Sequence, residues 1–242
     1  MLPSMRMLPT AVLTLLLTAC SSAPKSGDLC ACGPDCACAP CNCPKTPTQA
    51  RAKAEAIQLF NGRNLEGWRA VYQSGPGDMN TAWSVKDGIL RCEGQPIGYM
   101  QTTASYESFK LVVEWRFDPA KGAGNSGVLL RVTGPDHVWP RSIEAQLHSR
   151  NAGDIWNIGS FPMQAVAERT GGRHTGKAHD TNEKPLGEWN RYEITLDGGA
   201  LSLVVNGLEQ NVATDCEVIP GGIGLQSEGS YIEFRKVELT PL

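Results

Sequence analysis

An all-β fold, with two antiparallel sheets packed face to face, is what this sequence predicts, on three observations. From Ile57 onward apolar and polar residues alternate in short runs, the period of a half-buried strand. The 26 glycines and 16 prolines are enough to place a turn between successive runs. Sustained helical periodicity is absent after Ala56, and short strands at regular spacing point to a two-sheet sandwich.

The elements follow in order. Residues 46–56 lead into the domain, with Ala50-Arg51-Ala52-Lys53-Ala54-Glu55-Ala56 suited to a short helix. Residues 81–90 read as strand, Asp87-Gly88 turn, strand. Residues 109–117 alternate strongly, and residues 126–132 form a strand after a glycine-rich turn. Residues 142–148 are expected to be another strand. Residues 191–196 and 201–205 form a hairpin around Asp197-Gly198-Gly199, with a second turn at Asn206-Gly207. Residues 222–226 and 231–239 complete the chain. Residues 149–186 break this rhythm, being rich in Gly, Asn, His and charge, and are expected to be a long functional loop.

Ahead of the domain the composition changes twice. Residues 11–19 are apolar apart from two threonines, too short to cross a bilayer as a helix, and end in small residues. Leu17-Thr18-Ala19-Cys20 followed by Ser21-Ser22 resembles the lipobox of bacterial lipoproteins. That resemblance implies removal of residues 1–19, lipidation of Cys20 and attachment to the cell envelope, with Ser21 favouring the outer membrane. Residues 20–55 are then a tether, and residues 56–242 the domain. Loss of Arg6 moves the formal net charge from −3 to −4, and no basic stripe tracks phosphates, which excludes nucleic acid as the expected partner. Seven of the nine cysteines fall between Cys20 and Cys43. Cys30, Cys32, Cys36, Cys38, Cys41 and Cys43 fit disulfides in an oxidising compartment, soft thiolate metal binding, or a tether with no specific thiol chemistry. Cys92 and Cys216, alone in the domain, fit either a disulfide or two buried thiols.

Taken together, the domain's landmarks resemble the bacterial 3-keto-disaccharide hydrolase family. The matching segments are Leu59-Phe60-Asn61-Gly62-Arg63-Asn64-Leu65-Glu66-Gly67-Trp68, Trp83-Ser84-Val85-Lys86-Asp87-Gly88-Ile89-Leu90, Glu114-Trp115-Arg116 and Gly124-Asn125-Ser126-Gly127-Val128. Ser142-Ile143-Glu144-Ala145-Gln146, Gly187-Glu188-Trp189-Asn190, Val205-Asn206-Gly207 and Ile232-Glu233-Phe234-Arg235 follow in the family's order. The resemblance implies a concanavalin A-like jelly roll whose concave sheet holds sugar, activity on 3-keto-glycosides, and a separate sugar 3-dehydrogenase that supplies the ketone.

The residues themselves offer matching chemistry. Glu144, Gln146 and His148 alternate along one strand and project from the face opposite Ile143, Ala145 and Leu147. Glu114 and Arg116 repeat the arrangement, and Arg131 ends the strand after Asn125. Carboxylates, guanidiniums and amides on neighbouring strands describe a carbohydrate groove; the same pattern also describes a solvated sheet face. Retaining glucanases on this fold carry Glu-x-Asp-x-x-Glu on such a strand, whereas in this chain Gln146 and Ser149 stand at the second and third positions. The local carboxylate pair is therefore missing. A 3-keto sugar needs only one base for its acidified C2 hydrogen and a donor facing the enolate oxygen. Glu144 or His148 suits the base, and Arg116 or Arg131 the donor; Gln146, Glu114 and Asn125 suit substrate hydroxyls. Trp139 and Trp156, on either side of the Glu144 strand, suit stacking on a sugar ring, while Trp68, Trp83, Trp115 and Trp189 suit the core. His137, His174 and His179 lack ligand spacing, so no cofactor is fixed, though a divalent metal remains an option. A non-catalytic carbohydrate-binding module is the alternative reading of the same groove.

Overall fold

The computed structural model describes residues 54–242. The expected signal peptide, the lipidation site Cys20 and the cysteine tract from Cys30 to Cys43 lie outside the described residues. Two nine-stranded antiparallel sheets make up the domain. The front sheet runs, edge to edge, Thr170–Gly171, His174–Thr175, Ile155–Ile158, Arg141–Gln146, Gly127–Thr133, Gly222–Ser227, Gly98–Thr102, Trp68–Tyr72 and Gly75–Gly77. The back sheet runs Gln164–Ala165, Leu208–Thr214, Ala200–Val205, Asn190–Asp197, Phe109–Arg116, Ile232–Pro241, Ile89–Cys92 and Trp83–Lys86, with Ile57–Gln58 added onto Ile232–Pro241. No α-helix occurs among the described residues; the only helical turns there are 3₁₀, at Met79–Thr81 and Ala167–Arg169.

Local chemistry sets the expected hairpins. Asp87 and Gly88 both take positive φ (54° and 75°) between Trp83–Lys86 and Ile89–Cys92, and Asn206 and Gly207 (47° and 83°) do the same after Ala200–Val205. Paired left-handed residues match the twist of the flanking strands, which is why Asx-Gly marks a hairpin. Between the sheets, Trp115 packs on Tyr192 with ring centroids 5.7 Å apart and Trp83 on Phe234 at 6.4 Å. Trp68 is also buried and donates its indole N–H to the Leu59 carbonyl at 2.7 Å.

The structure corrects three expectations. Residues 149–186 are not one loop, because they contribute Ile155–Ile158, His174–Thr175 and Thr170–Gly171 to the front sheet and Gln164–Ala165 to the back sheet. The strand expected over 142–148 ends at Gln146, whose side-chain carbonyl accepts the backbone N–H groups of Leu147 and His148 at 2.8 Å and turns the chain. Trp189 is not core: its ring lies on the outer surface of the back sheet under Arg116 (4.5 Å) and Arg235 (4.8 Å). Cys92 and Cys216 are both free and buried.

The two sheets differ in a way that places the site. Back-sheet strands alternate between buried and partly exposed positions, as in Phe109–Arg116 and Asn190–Asp197. Every residue of Gly98–Thr102 and Gly222–Ser227 is buried, and all but the last of Gly127–Thr133. The centre of the front sheet is thus buried on both faces, so there the side turned away from the core is recessed rather than open to bulk water. The edge strands are exposed.

Candidate active site

Strand register puts two adjacent rows of side chains in that recess. The first crosses seven strands: His174, Trp156, Glu144, Leu129, Gly224, Gln101 and Arg69 are successive partners. The second, one pleat away, carries Asp154, Gln146, Gly127, Gln226, Tyr99 and Val71. Residues two apart on a strand share a face, so the rows form one surface.

Glu144 is at its centre, with 5% of its surface exposed. A Cβ added to Gly127 would lie 2.5 Å from Glu144 Oε1 and 2.5 Å from Gln226 Oε1, so these two side chains converge over the bare backbone of that glycine. Glu144 Oε1, both amide atoms of Gln226 and the Tyr99 hydroxyl are buried without a hydrogen-bond partner in the protein. An unpaired buried polar atom costs about 1–3 kcal/mol, so several facing one recess describe a surface complementary to a hydroxylated ligand. Burial, with the nearby Glu228 carboxylate second, pushes the Glu144 carboxyl up to about 8, while Gln226 and Arg173 oppose the rise. Glu228 is likewise raised by burial and lowered by Arg173. Arg173 is therefore a guanidinium near enough to act on the charge of both carboxyls.

Beside Glu144, the Trp156 ring contacts the His174 ring at 4.5 Å and the Arg173 guanidinium at 5.2 Å. His174 Nε2 lies 2.8 Å from Asp154 Oδ2, and the other Asp154 oxygen accepts the Lys177 backbone N–H at 2.9 Å. A polar cleft lined by Arg150, Asn151, Asp154, Lys177, His179 and Asp180 continues from this end. At the far end Arg69 makes a bidentate pair with Asp136 (2.7 and 2.8 Å), and Gln101 turns its amide oxygen to Arg69 Nε at 3.0 Å. The Asp136 pair pins the loop that bears Trp139, which is 36% exposed.

The sequence candidates therefore separate. Glu144, Gln146 and Trp156 share the recess, Asn125 lies two residues before Gly127 with a buried, unpartnered Oδ1, and Trp139 lies on the adjoining loop. His148 does not share that surface: it is exposed beyond the strand end, with Nδ1 2.9 Å from the Asn151 amide. Glu114 and Arg116 are on the outer surface of the back sheet, across the core from Glu144. Arg116 binds Glu233 at 2.6 and 2.7 Å, and Glu114 binds Arg235 at 2.6 Å and Arg191 at 3.1 Å. Arg131, fully buried, uses four of its five N–H groups on the carbonyls of Glu107, Gly198 and Glu217, which ties it into the loops rather than the recess. Sequence reasoning missed Gln226, Tyr99, Arg173, Glu228 and the His174–Asp154 pair. Only the glycine flanking of Gly222 to Gln226 hinted at a close approach there. Among the described residues no group of three or more His, Cys, Asp or Glu side chains is gathered as a metal site.

A jelly roll of two antiparallel sheets is the concanavalin A-like fold, and solved structures with this fold include glucanases. Bacillus licheniformis β-glucanase superposes with a TM-score of 0.53 at 14% identity, covering 79% of this chain and all of that one. A crystal structure from Parabacteroides distasonis, provisionally named a glycosyl hydrolase, gives a TM-score of 0.56 at 25% identity, covering 78% of this chain and all of that one. More narrowly, residues 55–240 match the model of the 3-keto-alpha-glucoside-1,2-lyase-like domain, and the chain belongs to that family. A curated relative, 3-keto-disaccharide hydrolase of Bacteroides thetaiotaomicron, is 25% identical over 162 residues, which are 60% of this chain. The chain spans about half, 53%, of that relative's length.

Proposed function

We propose that this protein cleaves 3-keto-glycosides, disaccharides among them, by elimination across C1–C2 followed by addition of water. The observation that carries this reading is the Glu144 carboxyl: buried, raised to about 8 and set beside the Gln226 amide over the bare backbone of Gly127. A group poised near the working pH is what proton transfer to or from a sugar requires. The ketone at C3 acidifies the C2 hydrogen, so no pair of flanking carboxylates on one strand is needed. Arg173, rather than Arg116 or Arg131, faces the charge that develops on the enolate oxygen. Tyr99, Gln226 and Gln146 offer donors and acceptors for ring hydroxyls, and the cleft beyond Asp154 gives the leaving group room.

Release of glucose from 3-keto-trehalose tests the reading. Glu144→Gln is expected to lower turnover by about 100- to 10,000-fold, the usual contribution of one acid–base group. Tight binding without release by the unaltered protein would instead support the carbohydrate-binding module. We further propose that the mature protein is held in the bacterial envelope by lipid on Cys20, with a sugar 3-dehydrogenase acting before it. Cys20→Ala should then move the protein from the membrane to the soluble fraction of lysed cells.

A further inference from the structure

On that reading of the recess, we propose that His174, oriented by Asp154, is the base that takes the C2 hydrogen, and that Glu144 is the acid that protonates the leaving oxygen. His174, Trp156 and Glu144 are successive partners across three strands. Two inter-strand spacings, about 9.6 Å, separate the outer backbones, and Trp156 stands between them, so a pyranose lying on that ring would have His174 at one side and Glu144 at the other. The His174 ring cannot swing freely. It lies against Trp156 on one side, and Nε2 is held by Asp154 Oδ2 at 2.8 Å. Asp154 is itself 7% exposed and fixed through its second oxygen by the Lys177 backbone N–H, with Lys177 Nζ 3.9 Å away. A carboxylate that accepts from one imidazole nitrogen keeps the proton there and leaves the other, Nδ1, with its lone pair toward solvent. With 36% of its side chain exposed, His174 can meet a substrate, whereas Glu144, two strands away, is 5% exposed on the floor of the recess.

Glu144 has the Glu228 carboxyl and the Arg173 guanidinium near it, and His174 has Asp154 and Trp156. Burial keeps the Glu144 proton in place at neutral pH, which suits a donor. In the first half-reaction the C2 proton passes to His174 Nδ1 and the C2–H electrons form the C1–C2 double bond. The C1–O bond breaks toward oxygen, which takes the Glu144 proton and leaves as an alcohol. Imidazolium and carboxylate then face a 2-hydroxy enone. In the second half-reaction the Glu144 carboxylate takes a proton from water as its oxygen adds to C1. His174 returns its proton to C2, and both groups regain their starting states.

Two substrates and one exchange measurement test the assignment in the full-length protein. Solvent deuterium at C2 of a 3-keto-1-deoxyglucose, which has no leaving group, reports the base alone. His174→Asn should abolish that exchange and lower turnover by about 100- to 10,000-fold on both 3-keto-trehalose and 4-nitrophenyl 3-keto-α-glucoside. Glu144→Gln should retain exchange and stay within about tenfold on the nitrophenyl substrate, because nitrophenolate leaves without a proton. Asp154→Asn, a positioning change, should weaken exchange and alter the pH profile of kcat rather than KM. Exchange that survives in His174→Asn, or vanishes in Glu144→Gln, overturns the assignment. His174→Gln provides the same reading should the asparagine variant not fold. An unaltered protein that neither exchanges C2 nor releases glucose rejects the underlying function itself, a different result from an active protein indifferent to His174.

Discussion

Glu144 couples the chemistry of the recess to the stability of the fold. In the unfolded chain its carboxyl releases a proton near 4.5, whereas in the folded protein burial holds that proton to about 8. Between those values the folded state carries the extra proton, so stability contributed by this group is full below 4.5 and is lost as pH rises through 8. The slope is at most about 1.4 kcal/mol per pH unit from a single group. Glu144→Gln has nearly the same shape and no charge to bury. Thermal unfolding at pH 5, 6.5 and 8.5 should therefore find the variant close to the parent at low pH and increasingly more stable above it. Glu183 and Glu228 are also raised by burial; Glu183 is common to both proteins and cancels in the difference, whereas Glu228, which helps to raise Glu144, cancels only in part. Parallel curves would mean that Glu144 keeps no proton. At this scale the sequence placed Glu144 on the face turned away from the core, because alternation around Ile143 and Ala145 sets which way a side chain points. It missed Gln226, whose neighbours on that face are Gly222 and Gly224, so no polar stripe marked the strand.

Among the elements, those defined by local turn chemistry were legible. The Asp87-Gly88 and Asn206-Gly207 hairpins depend on a pair of residues that tolerate positive φ, and such pairs can be read directly. The strands inside 149–186 were not. His174–Thr175 and Thr170–Gly171 are two residues each, too short for any period to appear, and they exist because Ile155–Ile158 offers them an edge. Arg131 shows a related limit. Its place at the end of a strand made it a candidate for the groove, yet a register shift after Leu130, with φ of 51° at Arg131 itself, redirects it among the loops at one end of the sandwich. There it ties the carbonyls of Glu107, Gly198 and Glu217. Arg131→Met keeps the stem but leaves three carbonyls short of a donor, at about 1–3 kcal/mol for each that stays buried. Chemical denaturation should show a loss of roughly 3 kcal/mol or more, and the folded fraction should retain its KM for a 3-keto-glycoside. A raised KM at unchanged stability would return Arg131 to the substrate contacts.

Which sheet a strand joins is a property of the whole molecule, and strand patterns alone do not contain it. Glu114–Arg116 and Glu144–Gln146 look alike along the chain: polar residues alternating with Trp115 in one case and Ala145 in the other. Pairing separates them completely. Phe109–Arg116 lies between Asn190–Asp197 and Ile232–Pro241 in the back sheet, and Arg141–Gln146 between Ile155–Ile158 and Gly127–Thr133 in the front. Both polar sets then point away from the shared core, in opposite directions, with two layers of backbone between them. Packed sheets are about 10 Å apart, and a guanidinium on the far surface cannot touch a sugar on the near one. Arg116 instead joins Arg91 and Tyr231 around the nearly buried Glu233, and with Arg235 covers Trp189. Arg116→Gln is therefore expected to leave turnover of 3-keto-trehalose within about twofold of the parent. It should nonetheless lower the unfolding temperature, because Glu233 loses one of its two arginine partners and remains 4% exposed. A large fall in turnover at unchanged stability would place the active surface on the back sheet and strip the Glu144 recess of its catalytic role.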